Sequence, residues 1–186
     1  MSASPPILVT GAAGFIGAEV CAVLTRAGCR VLGVDDLSAG EAGRLGDLPG
    51  ELFELVVGDV RDRALMGALF AERPRAVLHL AARVGVRTVL EDPMGCEREN
   101  LEGVHVLAEQ LRAASAGGRA PRVVAASTSE VYAESSVPLD ESAPLRPARA
   151  EGRWRYAASK RRAEEILDDA RLLLGFARNR GSRFAF

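Results

Sequence analysis

A phenol and an ammonium stand one helical turn apart at Tyr156 and Lys160, in the segment RYAASK. Residues at i and i+4 share a helix face, so the two groups can meet around one reacting atom. The chemistry on offer is proton abstraction. An unperturbed phenol ionises near ~10, and a neighbouring cation favours its charged form. Such spacing also occurs in ordinary charged helices, so the pair gains meaning from other groups. Two of these are Thr128 and Glu130 in STSEVY, which face the same side if the backbone there is extended. Taken singly, Thr128 reads as a strand-end cap and Glu130 as a solvated carboxylate.

The second constellation is TGAAGFIG, with Gly11, Gly14 and Gly17 between an apolar run and a helical pattern. Bare backbone at a strand-to-helix turn lets a pyrophosphate approach the helix N-terminus, where unpaired N–H groups and the helix dipole favour negative charge. The same triplet also suits a tight turn with close helix packing. Position favours the dinucleotide. Asp35 closes the second apolar run, where a carboxylate accepts both ribose hydroxyls of an adenosine and repels a 2′-phosphate. NAD is therefore expected over NADP.

The elements that must position these groups follow from hydrophobic periodicity. Strands are predicted at 7–10, 30–36, 54–59, 76–82 and 122–127, and helices at 14–27, after a cap at Asp62, at 94–114 and at 156–174. Gly40, Gly43, Gly46, Pro49 and Gly50 mark one loop, and Pro138, Pro144 and Pro147 lie in another over 133–152. SRFAF, at 182–186, reads as the opening of a sixth strand. Alternation of strand and helix predicts an α/β fold, a Rossmann-like doubly wound parallel sheet, as one domain over 1–186. A ligand in such a sheet lies across the carboxyl ends of the strands, where Asp59, His79–Ala82 and residues 127–132 fall.

Composition narrows the function classes. The chain has 186 residues, 48% hydrophobic, and a formal charge of -1, which suits a soluble domain with a real core and argues against nucleic-acid or membrane partners. Cys21, Cys29 and Cys96 lack metal-like spacing, so no metal site is expected and reduced core thiols in a cytoplasmic protein are. MSASPP lacks the features of a secretory leader, and no apolar stretch approaches the ~20 residues that span a bilayer.

In order and spacing, TGAAGFIG, GDVRD, HLAA, STSEVY and YAASK resemble the extended short-chain dehydrogenase/reductase family that modifies nucleotide sugars, over about residues 7–170. The resemblance implies that Tyr156 is the catalytic base. Lys160 would bind the nicotinamide ribose and, with the positive nicotinamide ring, lower the phenol's pKa. Thr128 would hydrogen-bond the sugar hydroxyl, with Glu130 beside it. Gly11, Gly14, Phe15, Ile16 and Gly17 would line the dinucleotide turn, and Asp59, with Val60, would reach adenine. Leu80, Ala81 and Ala82 would lie against the cofactor, and Asn100 would brace the active-site helix.

The implied reaction passes the sugar 4-hydroxyl proton to Tyr156 and the C4 hydride to NAD+, giving a 4-keto intermediate. STSEVY and RWRYAASK, with Trp154, most resemble UDP-glucuronate decarboxylases, in which the resulting β-keto acid loses carbon dioxide. A 4-epimerase or 4,6-dehydratase acting on a UDP-sugar is the alternative. Ala133 stands where the family usually has glycine. The family continues into a smaller C-terminal lobe that the sequence to Phe186 reads as lacking, so an enzyme fragment, a truncated product that keeps NAD binding, and a non-catalytic NAD-binding module are all open, with little turnover expected. Helices 94–114 and 156–174 would form a four-helix bundle with a second copy in a homodimer.

Overall fold

Short runs rich in Val, Leu and Ile form five parallel strands: β1 (Ile7–Thr10), β2 (Val31–Asp35), β3 (Phe53–Val57), β4 (Ala76–His79) and β5 (Arg122–Ala125). The structure, a computed structural model, describes residues 4–173 apart from 119, 137, 141, 149 and 150. The sixth strand expected at SRFAF lies outside the described residues. Strand order is β3-β2-β1-β4-β5, so the chain winds outward from β1 in both directions, as expected of a doubly wound sheet. The central strands β1 and β2 are buried along their whole length, whereas the edge strand β5 alternates exposed and half-buried residues.

The helices are α1 (Phe15–Arg26), α2 (Arg63–Ala71), α3 (Val86–Glu91), α4 (Pro93–Ala116) and α5 (Arg155–Leu173). Asp62 caps α2 as expected: its side chain accepts from the N–H groups of Ala64 and Leu65. The short α3 has no counterpart among the predicted elements. Four strands end earlier than predicted: Leu80–Ala82 and Ala126–Ser127 leave the ladder after β4 and β5, and Asp36 and Gly58–Asp59 already belong to the loops after β2 and β3. The backbone at 129–131 is also not extended, although Thr128 itself is. Thr128 is the N-cap of a 3₁₀ turn over Ser129–Val131.

Contacts divide the chain into two compact units. The first holds residues up to Ala82 with Val106–Ala125, and contains the whole sheet, α1, α2 and the second half of α4. Its core is built on Ile7, Val9, Ala12, Ala13, Ala18, Cys21 and Val31. The second holds Arg83–His105 with the described residues from Ala126 to the end of α5, and contains α3, the first half of α4 and α5. It buries Val89, Cys96, Leu101, Val104, Val131, Ala157 and Ala158. Among the described residues no helix is long and apolar enough to cross a membrane.

Candidate active site

In the first unit the turn after β1 requires glycine. Gly11 has φ +71°, and a Cβ on it would stand 2.7 Å from the Ala81 nitrogen. A Cβ on Gly17 would stand 1.9 Å from the Gly11 carbonyl oxygen. α1 starts at Gly14 with no side-chain cap and no acidic residue in its first turn, so its N–H groups and dipole are left for an external anion. Phe15 and Ile16, its first two residues, are exposed.

Asp35 is buried at the end of β2. Its Oδ2 accepts from the Ala13 N–H at 2.9 Å and its Oδ1 from the Leu37 N–H at 2.8 Å. The carboxylate thus steadies the glycine turn, and since two oxygens offer about four lone-pair sites, it keeps capacity for ribose hydroxyls. These residues fit a dinucleotide: bare backbone, an uncapped helix start and a carboxylate beyond the second strand. Asp59 is engaged more closely. Its carboxylate accepts from Arg61 N at 2.8 Å and from Arg61 Nε at 2.8 and 3.0 Å, and the Arg61 guanidinium holds its carboxyl below the usual range. Val60 and Leu80–Ala82 are half-buried. No group of acids, histidines or cysteines among the described residues could hold a metal.

Sequence reasoning missed Thr10. Its buried Oγ1 accepts from the N–H groups of Leu80 and Ala81, both at 3.2 Å, and lies 2.9 Å from His79 Nδ1. That hydroxyl ties the glycine turn to the end of β4. The available signal was a polar residue closing an otherwise aliphatic central strand.

In the second unit α5 carries Tyr156 and Lys160. Lys160 is only 7% exposed, donates from Nζ to the Ala126 carbonyl at 3.0 Å, and lies 5.9 Å from the Tyr156 ring centroid. Burial pushes its ammonium down from an ordinary 10.5 to about 8. The expectation of a lowered phenol is not met by this pair alone. Burial pushes Tyr156 up, and the charges of Cys96 and Glu130 push it the same way. Thr128 is buried while Glu130 is exposed, so they do not share a face; Thr128 Oγ1 accepts from the Glu130 N–H at 3.3 Å. Ser159 Oγ donates to the Tyr156 carbonyl at 2.7 Å. A further signal went unused: the 24 lysines and arginines of the chain include one lysine, Lys160. Arginine serves every other cationic position, and lysine stands where an amine can shift its pKa.

Asn100 braces a different segment from the one expected. Its Oδ1 accepts from the Arg83 N–H at 2.7 Å and its Nδ2 donates to the Arg83 carbonyl at 3.1 Å, a carboxamide matched to one residue's backbone donor and acceptor. The Cys96 thiol donates to the same carbonyl at 3.0 Å. Pro144 and Arg146 pair with the end of the 3₁₀ turn and with Ala133 beyond it. Ala133 N–H donates to the Pro144 carbonyl at 2.8 Å, and Arg146 N–H to the Val131 carbonyl at 2.8 Å. Ala133 does not take the left-handed conformation that would call for glycine. The Arg146 guanidinium lies 3.9 Å over the Trp154 ring, which gives the tryptophan a packing role against Arg146.

The family model described as "NAD dependent epimerase/dehydratase family" matches residues 7–176. The chain is 34% identical to a UDP-glucose 4-epimerase of Yersinia pestis over 171 residues, covering 89% of this chain and 48% of the relative. It is 38% identical to UDP-glucuronate 4-epimerase 3 of Arabidopsis thaliana over 168 residues, covering 86% and 37%. Among solved structures, a Thermus thermophilus UDP-glucose 4-epimerase in complex with NAD superposes with a TM-score of 0.77 at 30% identity, over 92% of this chain and 52% of that one. The chain spans about half the length or less of these relatives. With its glycine turn, parallel sheet and Tyr156–Lys160 pair, the chain belongs to the NAD-dependent epimerase/dehydratase family.

Proposed function

We propose that the chain binds NAD and carries the proton-transfer residues of a nucleotide-sugar 4-epimerase acting on a UDP-sugar. The observation that carries this reading is Lys160: a desolvated, sole lysine one turn from Tyr156, on a helix where an arginine would serve a merely structural charge. Gly11, Gly14 and Gly17 would seat the pyrophosphate, and Asp35 the adenosine ribose. When bound, the nicotinamide would take up and return the C4 hydride. Tyr156 would accept the 4-hydroxyl proton and later give it back. Lys160, with two N–H donors beyond the one it gives to Ala126, would hold the nicotinamide ribose and supply positive charge beside the phenol. Thr128 would orient the 4-hydroxyl.

The similar proteins named above are 4-epimerases, and they put epimerisation ahead of decarboxylation. The motif that favoured a decarboxylase leaned on Trp154, whose ring is covered by Arg146. The same reading pairs α4 and α5 with those of a second copy as a four-helix bundle. A monodisperse monomer at micromolar concentration in sedimentation would remove that element. The function is tested by calorimetric titration with NAD+, then by incubation with NAD+ and either UDP-glucose or UDP-glucuronate. NAD+ binding is the expected result, with little 4-epimer formed by a chain that spans about half of its relatives, and that little abolished in Tyr156→Phe. Absence of NAD+ binding would sink the reading, and release of carbon dioxide with UDP-xylose would move it to the decarboxylase.

A further inference from the structure

Two successive residues beyond β5 are held by two residues one turn apart on α5. Lys160 Nζ donates to the Ala126 carbonyl at 3.0 Å, and Ser127 Oγ donates to Glu164 Oε1 at 2.5 Å. The residue that follows is Thr128, buried and aimed by its own turn. Tyr156, Lys160 and Glu164 repeat at i, i+4 and i+8, so they form one stripe of the helix.

The two bonds are not equivalent. Lys160 is the group that the proposed function assigns to the nucleotide, so its bond to Ala126 must share the ammonium with a ligand. The Ser127–Glu164 bond makes no use of Lys160. It is a hydroxyl bonded to a carboxylate whose side chain is only 17% exposed, and charge-assisted bonds of this kind are about twice as strong as neutral ones. Glu164 also lies 3.8 Å from Arg161 on its own helix, a contact that cannot fix the 126–128 segment because both partners belong to α5.

We propose that Ser127 and Glu164 are a positioning pair, which sets the register of residues 126–128 against the Tyr156–Lys160 stripe and holds it when Lys160 turns to a nucleotide. The proposal rests on the proposed function for what the register serves, but not for its existence. The pair touches neither substrate nor cofactor in this account. It acts through Ala126 and Thr128.

Because Lys160 is the only lysine, protein labelled with [15N]lysine shows a single side-chain ammonium resonance in NMR, read at pH 6 where the amine is charged. Ser127→Ala and Glu164→Ala should each shift and broaden it as the Ala126 bond loosens, and the double variant should move it no further. Glu164→Gln, whose amide oxygen still accepts from Ser127, should keep the wild-type signal. NAD+ should bind the two alanine variants roughly tenfold more weakly and the glutamine variant as the wild type. Folded alanine variants with an unmoved resonance would overturn the proposal. So would a glutamine variant as disturbed as Glu164→Ala, which would assign Glu164 to its ion pair with Arg161. If Glu164→Ala fails to fold, Ser127→Ala decides alone. Failure of NAD+ to move the wild-type resonance would instead count against the proposed function and leave the positioning pair standing.

Discussion

Lys160 makes the folded chain less stable at neutral pH than it would be without a buried charge. Burial lowers its pKa from 10.5 to about 8, and that gap corresponds to about 3 kcal/mol of folding free energy withheld while the amine is protonated. The sign is fixed by proton counting. Between the folded value of about 8 and the unfolded 10.5 the unfolded chain binds more protons, so stability rises with pH through this window and the penalty is complete below it. Lys160→Met keeps the aliphatic stem and removes the charge. Its offset at pH 7 is mixed, since the Ala126 carbonyl loses its donor at a cost of about 1–3 kcal/mol. The pH dependence is clean. Denaturant unfolding of both proteins from pH 6.5 to 10.5 should show the wild type gaining about 3 kcal/mol relative to Lys160→Met. Cys21, Cys96 and Tyr156 have raised pKa values and lower stability as pH climbs through the alkaline range, but they are present in both proteins and largely cancel in the difference. Parallel curves for the two proteins would refute the reasoning and place Lys160 in contact with water.

Asp35→Ala should erase the preference for NAD over NADP in calorimetry and, by freeing the Ala13 and Leu37 N–H groups, lower stability by about 1–3 kcal/mol in denaturant unfolding. Asn100→Ala removes both side-chain bonds to the Arg83 peptide, so the Arg83 amide should exchange with solvent at least tenfold faster, roughly the effect of one lost hydrogen bond. Gly11→Ala forces a Cβ at φ +71° to within 2.7 Å of the Ala81 nitrogen, and should cost about 3 kcal/mol or more of stability along with NAD+ binding, read by thermal unfolding with and without nucleotide.

The first unit was largely legible because its signals are local. Gly11, Gly14 and Gly17 between an apolar run and a helical repeat admit few backbones, and Asp62 announces its helix by a bond within three residues. The end of β4 was overrun because apolar residues continue past the last ladder pair, as Leu80 does after His79. At Thr128 the hydroxyl competes with strand pairing by accepting from the Glu130 N–H, and alternation in a sequence carries no trace of that choice. Tyr156 and Lys160 were found by spacing, yet the direction of the phenol's shift depends on burial, which spacing does not encode. Ser127 and Glu164 are 37 residues apart, and no periodicity connects them.

A chain with a single lysine contains a single site for a lysine-specific endoprotease. Lys160 lies within α5, behind Ala157, Ala158 and Ser159, all buried, so the folded helix cannot enter a protease cleft that takes extended substrate. Cleavage must wait for α5 to open, and when reclosing is fast the rate of the one cut reports the equilibrium between closed and open helix. The products, residues 1–160 and 161–186, separate on any gel, so the integrity of the segment that carries Tyr156 can be followed over time without a label or an activity assay.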